Sequence, residues 1–335
     1  MERICSGGSA IFMTGSFLVE IRNADVYYKF TVRRNITVLR GEGATGKTML
    51  YRLVDTFNNV DSRGVSVRVD RGATVETLNR QRFSDGVLLN RTKQNRIFII
   101  DENSDFVYSN EFAVQAQASG YYFILINRDK LDQISCSIHE IYQLQTTDTR
   151  MVTFKRIYPK VYYGTPKFYP NVLTEDSGAG RQFFSRLSIA SKVIPADGRS
   201  KIKSKLENIS GPTLVIADGA ALGFNIAEIL ESIKCSRGCL IAMESFEYVI
   251  LKSGIVHSRD TRLQSLNNPD VDSVLYSSWE RYYTALLCDL TKNTVLAYQK
   301  THLTPEYSKY SNAIKILQAY GLYDVYSTVS STNYF

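Results

Sequence analysis

The spacing of hydrophobic positions changes several times along this chain, and each change predicts an element. Phe17–Arg22 (FLVEIR) and Tyr27–Val32 (YYKFTV) alternate or run apolar on either side of Asn23-Ala24-Asp25, which predicts an antiparallel hairpin. An apolar run, Ile36 to Leu39, follows, and from Thr48 to Phe57 (TMLYRLVDTF) the apolar residues recur at helical spacing. Arg96 to Ile100 (RIFII) and Tyr121 to Ile126 (YYFILI) are short continuous runs suited to buried parallel strands, while residues 58–95 are short and polar.

The organisation shifts at residues 156–170, which hold three of the seven prolines and so resist continuation of a helix or central strand. Beyond them three segments repeat the order strand, acidic turn, helix: residues 171–187, 191–202 and 212–223. That order implies a small parallel sheet with right-handed crossovers, whose strand-end carboxylates converge at one edge. Past about residue 256 the chain is polar and tyrosine-rich. Helical patterns then return at residues 278–287 and 312–320, the second followed by Gly321 as a C-cap. The expected division is 1–158, a linker at 159–170, an α/β domain at 171–255 and a helical C-terminal region at 256–335. No internal repeat appears, which sets solenoids aside.

The junction between the run at 36–39 and the helix at 48–57 reads Gly41-Glu42-Gly43-Ala44-Thr45-Gly46-Lys47-Thr48-Met49. This contains a complete G-x-x-x-x-G-K-[ST] element, the phosphate-binding loop, between a strand and a helix N-terminus. Glycines allow successive backbone N–H groups to turn inward around phosphate oxygens, where a Cβ would clash. Lys47 then reaches the β- and γ-phosphates and the Thr48 hydroxyl ligates Mg²⁺. ATP and Mg²⁺ are therefore the expected ligands, with Gly41 through Met49 lining the nucleotide.

The RIFII run ends in Asp101-Glu102 and resembles a Walker B strand. The resemblance implies that Asp101 holds Mg²⁺ through water and that Glu102 orients or deprotonates the attacking water, which makes Lys47 and Glu102 the expected catalytic pair. YYFILI ends in Asn127-Arg128, either of which is placed to sense a γ-phosphate or to serve as an ordinary cap. The hairpin leading into ITVLRGEGATGKT resembles the opening of an ABC-type ATPase fold, without an LSGGQ-like signature between the two Walker elements.

In the second half, Glu175 follows the first strand and Asp218 with Gly223 follows the third, and residues 193–202 carry Pro195, Gly198 and Ser200. These positions resemble a Toprim domain, the fold of topoisomerases, primases and overcoming-lysogenisation nucleases. Glu247, in the segment after the apolar Cys239–Ala242 run, resembles a later acidic residue of the nuclease branch. The resemblance implies Glu175, Asp218 and Glu247 as metal ligands, but Ala220 stands where D-x-D-x-x-G has its second aspartate. Two open alternatives follow: one ion on three carboxylates, or a domain without cleavage activity.

Composition changes the picture little. Hydrophobic content of 44% and charged content of 22% belong to an ordinary globular chain, and no apolar stretch reaches the roughly 20 residues of a membrane span. Five scattered cysteines fit a reducing cytoplasm, and Cys235 and Cys239 lack a second pair at zinc spacing. His139, His257 and His302 have no triad context. The net charge of +7 permits nucleic-acid contact without requiring it. Together these features predict an α/β, cytoplasmic, Mg-dependent ATPase whose nucleotide state controls a Toprim-like domain acting on nucleic acid or on a partner, a homo-oligomer or another protein. Paired ATPase and Toprim modules occur in phage-defence nucleases, which this arrangement resembles. A nucleotide-gated switch without cleavage and a small-molecule kinase remain as alternatives.

Overall fold

The computed structural model describes residues 15–41, 46–59, 64–90, 95–187, 190–264, 266 and 279–324. They divide into two compact units. Unit 1 draws on residues 15–134 and 140–157, and unit 2 on 135–139, 158–266 and 279–324. No helix of the described residues is long and apolar enough to cross a membrane.

Unit 1 opens with β1 (Phe17–Arg22) and β2 (Tyr27–Val32), paired antiparallel from Phe17↔Val32 to Arg22↔Tyr27. Asn23 closes their turn, its side-chain oxygen accepting the N–H groups of Asp25 and Val26 at 3.0 and 2.9 Å. Alternation along β1 sends Phe17, Val19 and Ile21 into the core. Then come β3 (Ile36–Leu39), α1 (Lys47–Asn59), β4 (Ser66–Val69), β5 (Thr74–Thr77), α2 (Arg80–Ser84), β6 (Arg96–Ile100), α3 (Asn110–Ser119), β7 (Tyr122–Ile126), β8 (Ile141–Thr146) and β9 (Met151–Arg156). They form one mixed sheet of nine strands in the order β4-β1-β2-β9-β8-β3-β7-β6-β5. Strands β8, β3, β7, β6 and β5 run parallel to one another, and their buried members β3, β6 and β7 are the continuous apolar runs of the sequence. The amphipathic α1 lays Leu50, Leu53 and Val54 onto the sheet core that includes Leu39, Ile97 and Ile124.

Register fixes what this sheet presents. Leu39 pairs with Ile126, and Ile100 with Leu125, so β3, β7 and β6 end side by side. The residues that follow, Gly41, Asn127 and Asp101, leave from the same edge.

Unit 2 contains β10 (Tyr162–Tyr163), β11 (Asn171–Thr174), α4 (Ala179–Arg186), β12 (Lys192–Pro195), α5 (Ile202–Glu207), β13 (Thr213–Asp218), α6 (Ile226–Ser236), β14 (Cys239–Met243), α7 (Phe246–Lys252), α8 (Thr261–Gln264), α9 (Trp279–Thr291) and α10 (Tyr310–Ala319). Its sheet has the order β10-β14-β13-β11-β12, parallel except for β10, which pairs antiparallel with β14. Each helix between strands is the crossover that parallel neighbours require.

Three boundaries differ from the sequence-based division. The expected linker at 159–170 is structured: β10 extends the sheet and Tyr169 is buried, because two tyrosines side by side supply strand pairing that the flanking prolines conceal. The region 256–335 is not a separate helical tail over its described residues. α9 packs on α7 with the Tyr248 and Tyr283 rings 5.0 Å apart, and α4 is tied to the later chain by Gln182 donating to the Thr301 carbonyl and Arg186 to that of Leu303. Residues 135–139 belong to unit 2, where Gly223 N–H donates to the Cys136 carbonyl at 2.9 Å and Ile138 N–H to that of Gly219 at 3.0 Å.

Candidate functional site

The first site lies at the edge where β3, β7 and β6 end. Glu42, Gly43, Ala44 and Thr45 lie outside the described residues, but both ends of the loop are placed. Gly41 and Gly46 have φ of +138° and +94°, values that favour glycine. The buried Lys47 turns its ammonium back to donate to the Gly41 carbonyl at 2.8 Å. Buried Tyr28 of β2 donates its hydroxyl to the Gly46 carbonyl at 2.8 Å, and burial pushes that phenol up to about 12. The loop is thereby pinned at each end, and Thr48 and Met49 stand exposed on the first turn of α1. That turn carries no acidic residue of its own to offset the partial positive charge of the helix start.

Across β7, Asp101 and Glu102 follow β6, both partly exposed. Burial above all, and then the Asp55 and Asp101 charges, raise the phenol of Tyr51 on α1. Glu102 is ion-paired with Arg128 at 2.8 Å. The Lys47 ammonium is held below its usual range, first by burial and then by Arg128, with Glu102 acting in the opposite sense, so all three charges share one locality. Asn127 is buried. Its side-chain oxygen accepts the Asp129 N–H at 2.7 Å and its amide donates to the Tyr108 hydroxyl at 3.3 Å, an Asx turn at the strand end. Of the pair considered as γ-phosphate sensor, Arg128 is the exposed one and Asn127 shapes the turn that carries it.

An exposed Thr48 hydroxyl and a partly exposed Asp101 carboxylate at one sheet edge are hard oxygen donors with access to water, the set that Mg²⁺ prefers. The residues present fit that ion.

In unit 2, Glu175 after β11, Asp218 at the end of β13 and Glu247 on α7 line one cavity of about 20 Å³, room for roughly one water. One oxygen of each is already engaged. Glu175 Oε2 accepts the Asp218 N–H at 2.8 Å, Asp218 Oδ1 accepts the Phe246 N–H at 3.2 Å, and Glu247 Oε1 accepts the Tyr298 hydroxyl at 2.8 Å. Glu247 Oε2 is buried without a hydrogen-bond partner. Burial above all, opposed by the hydrogen bond from Asp218 N–H, pushes the Glu175 carboxyl up to about 7, and burial followed by the Glu175 and Glu247 charges raises Asp218 well above its ordinary range. Among the described residues, no group of three or more Asp, Glu, His or Cys side chains is arranged to hold a metal ion. The three carboxylates expected as ligands are thus brought together, but not as a metal-binding group. Ala220 uses its backbone N–H on the Glu244 carbonyl at 3.2 Å and offers no side-chain oxygen.

Tyr298 and Lys300, which sequence reasoning did not single out, complete this cavity. The Lys300 ammonium is paired with Glu280 of α9, and the Glu280 and Glu247 charges hold it above its usual range against the opposing effect of burial. Neither residue lies in a motif; only the fold brings them beside β13.

Comparison with protein-family models, with curated proteins and with solved structures gives no match.

Proposed function

We propose that unit 1 is a nucleotide site that binds ATP with Mg²⁺ and hydrolyses it, and that the nucleotide state governs unit 2. The observation that carries this reading is the shared sheet edge. Gly41, whose carbonyl accepts from Lys47, follows β3, one strand away from Asp101 and Glu102 after β6. Glycine-rich and acidic segments of this kind are common singly, and support for reading them together comes from the strands that precede them, β3 and β6, both pairing with β7.

On this reading Lys47 exchanges the Gly41 carbonyl for phosphate oxygens, and the α1 N-terminus meets their negative charge. Thr48 and Asp101 are the residues that would hold Mg²⁺, which would supply charge neutralisation to the phosphates. Glu102 takes the proton of the attacking water as its oxygen bonds to the γ-phosphorus, and ADP departs with the electron pair of the broken P–O bond. Lys47→Ala is expected to weaken ATP binding at least tenfold in an equilibrium titration. Glu102→Gln is expected to spare binding and slow turnover by roughly 10²–10⁴, the usual weight of a general base. Retention of the parent affinity by Lys47→Ala would overturn the loop assignment.

For unit 2 we propose a Toprim-like module that binds nucleic acid or a protein partner without metal-dependent cleavage. Ala220 and the prior engagement of Glu175, Asp218 and Glu247 support this form over a two-metal nuclease. The unpartnered Glu247 Oε2 favours the second reading, an active nuclease. Plasmid incubated with the protein, Mg²⁺ or Mn²⁺ and ATP separates them. Intact plasmid supports the binding module, and cleavage lost in both Glu175→Gln and Asp218→Asn establishes the nuclease.

A further inference from the structure

The Glu102–Arg128 pair sets a problem for the chemistry above. A base must aim a free lone pair at the water it deprotonates, and a carboxylate held at 2.8 Å by a guanidinium is turned toward that partner instead. Three observations say how the restraint is released. First, both side chains are substantially exposed, 52% for Arg128 and 35% for Glu102, and pairs of that kind are worth only about 0.2–1 kcal/mol. Second, Arg128 lies two residues past Ile126, which pairs with Leu39 at the end of β3, so it leaves the sheet beside the strand that leads to Gly41, and its charge is felt at Lys47. Third, Arg128 stands on a turn fixed by Asn127, through Asp129 N–H and the Tyr108 hydroxyl, so the arginine can change partners without the strand end moving.

We propose that Arg128 is a positioning residue that holds Glu102 in the nucleotide-free chain and transfers its guanidinium to the terminal phosphate when ATP binds, freeing the carboxylate beside the attacking water. This rests on the reading of the Gly41–Thr48 loop as a nucleotide site. The guanidinium fork matches a phosphate as well as it matches a carboxylate, and a terminal phosphate carries more charge than one glutamate. ADP lacks that phosphate and leaves the pair closed. Glu102 is then available only while there is something to hydrolyse.

The exchange is tested by equilibrium titration of ADP and of a non-hydrolysable ATP analogue, with Mg²⁺, against the parent chain, Glu102→Gln, Arg128→Ala and the double variant. Glu102→Gln breaks the ion pair while keeping the shape, so it should tighten the analogue about two- to fivefold relative to ADP, the weight of such a pair. Arg128→Ala should weaken the analogue roughly tenfold, as for loss of a charge-assisted hydrogen bond, and leave ADP within about twofold. In the double variant the gain from Glu102→Gln should vanish. ADP affinity serves as the folding control, and Arg128→Lys, which keeps the charge but loses the fork, should fall between parent and alanine. A gain that persists without Arg128, or equal losses for ADP and the analogue in Arg128→Ala, overturns the exchange while leaving the nucleotide site intact. Failure of the parent to bind either nucleotide removes the nucleotide reading and the exchange with it.

Discussion

At the residue scale, the turn into α1 depends on two side groups that contain no phosphate chemistry. Gly46 holds a left-handed φ of +94°, and a Cβ built there would lie 2.9 Å from the Tyr28 hydroxyl oxygen. Gly46→Ala therefore combines left-handed strain of about 1–2 kcal/mol with displacement of the tyrosine that fixes the loop end. Tyr28→Phe keeps the ring in the core and removes only the hydrogen bond to the Gly46 carbonyl, which should cost about 1 kcal/mol. Urea unfolding should rank the parent, Tyr28→Phe and Gly46→Ala in that order of falling midpoint. Equal midpoints for parent and Tyr28→Phe would show that the hydroxyl is better served by water than by the loop. The phosphate-loop spelling in the sequence points to Gly46 but says nothing of Tyr28, which lies 18 positions upstream on a strand.

At the scale of elements, β5, β6 and α2 meet in a charged cluster that no motif announces. Glu76 of β5 accepts from Arg96 of β6 at 2.6 and 2.9 Å and also pairs with Arg82 of α2, all three being largely buried. Burial works against the Glu76 charge, but the two arginines outweigh it and hold the carboxyl below its usual range. Glu76→Ala would leave two guanidinium groups facing each other, so a loss of about 2 kcal/mol or more is expected in chemical denaturation, larger than for Arg82→Ala. If the two substitutions cost the same, the cluster is two independent pairs.

This cluster also shows why the polar stretch 58–95 was not resolved from the sequence. β4 and β5 are four-residue strands, and the charged Glu76 of β5 is satisfied by Arg82 and Arg96 from outside its own strand, so their hydrophobic patterns are thin. In contrast β1, β2, β3, β6, β7 and α1 were legible because each buries a face or its whole length and must therefore repeat apolar residues at a fixed period. The strand-end carboxylates Glu175 and Asp218 were legible for the same reason, since β11 and β13 are apolar up to them. Tyr298 and Lys300 lie 80 and 82 positions beyond Asp218 in an irregular segment, and their place in the cavity is a property of topology alone.

At the scale of the whole molecule, the buried carboxylates of the two units are shifted in opposite directions, so the units should differ in how their stability depends on pH. In unit 2 the Glu175 carboxyl is pushed up from 4.5 to about 7 and Asp218 is raised as well, chiefly by burial. A raised carboxyl binds its proton more tightly when folded than when unfolded. Its contribution to stability is complete below about 4.5 and is lost as pH climbs through about 7. In unit 1 Glu76 is lowered, so what it contributes is complete above 4.5 and is lost only as pH falls below that value. Between these two limits unit 2 should loosen with rising pH while unit 1 stays constant. Hydrogen exchange in a chelating buffer, corrected for intrinsic exchange, separates the two in one experiment. Protection of β11 and β13 should fall between pH 5 and pH 7.5, protection of β5 and β6 should hold, and Glu175→Gln should remove most of the unit 2 slope. Constant protection of β13 across that interval would mean that Glu175 is ionised in the folded chain. Restoring Mg²⁺ adds the decisive arm: an ion on these carboxylates requires them ionised, so it would reverse the slope in unit 2, whereas a module that takes no metal should give the same curve with and without it.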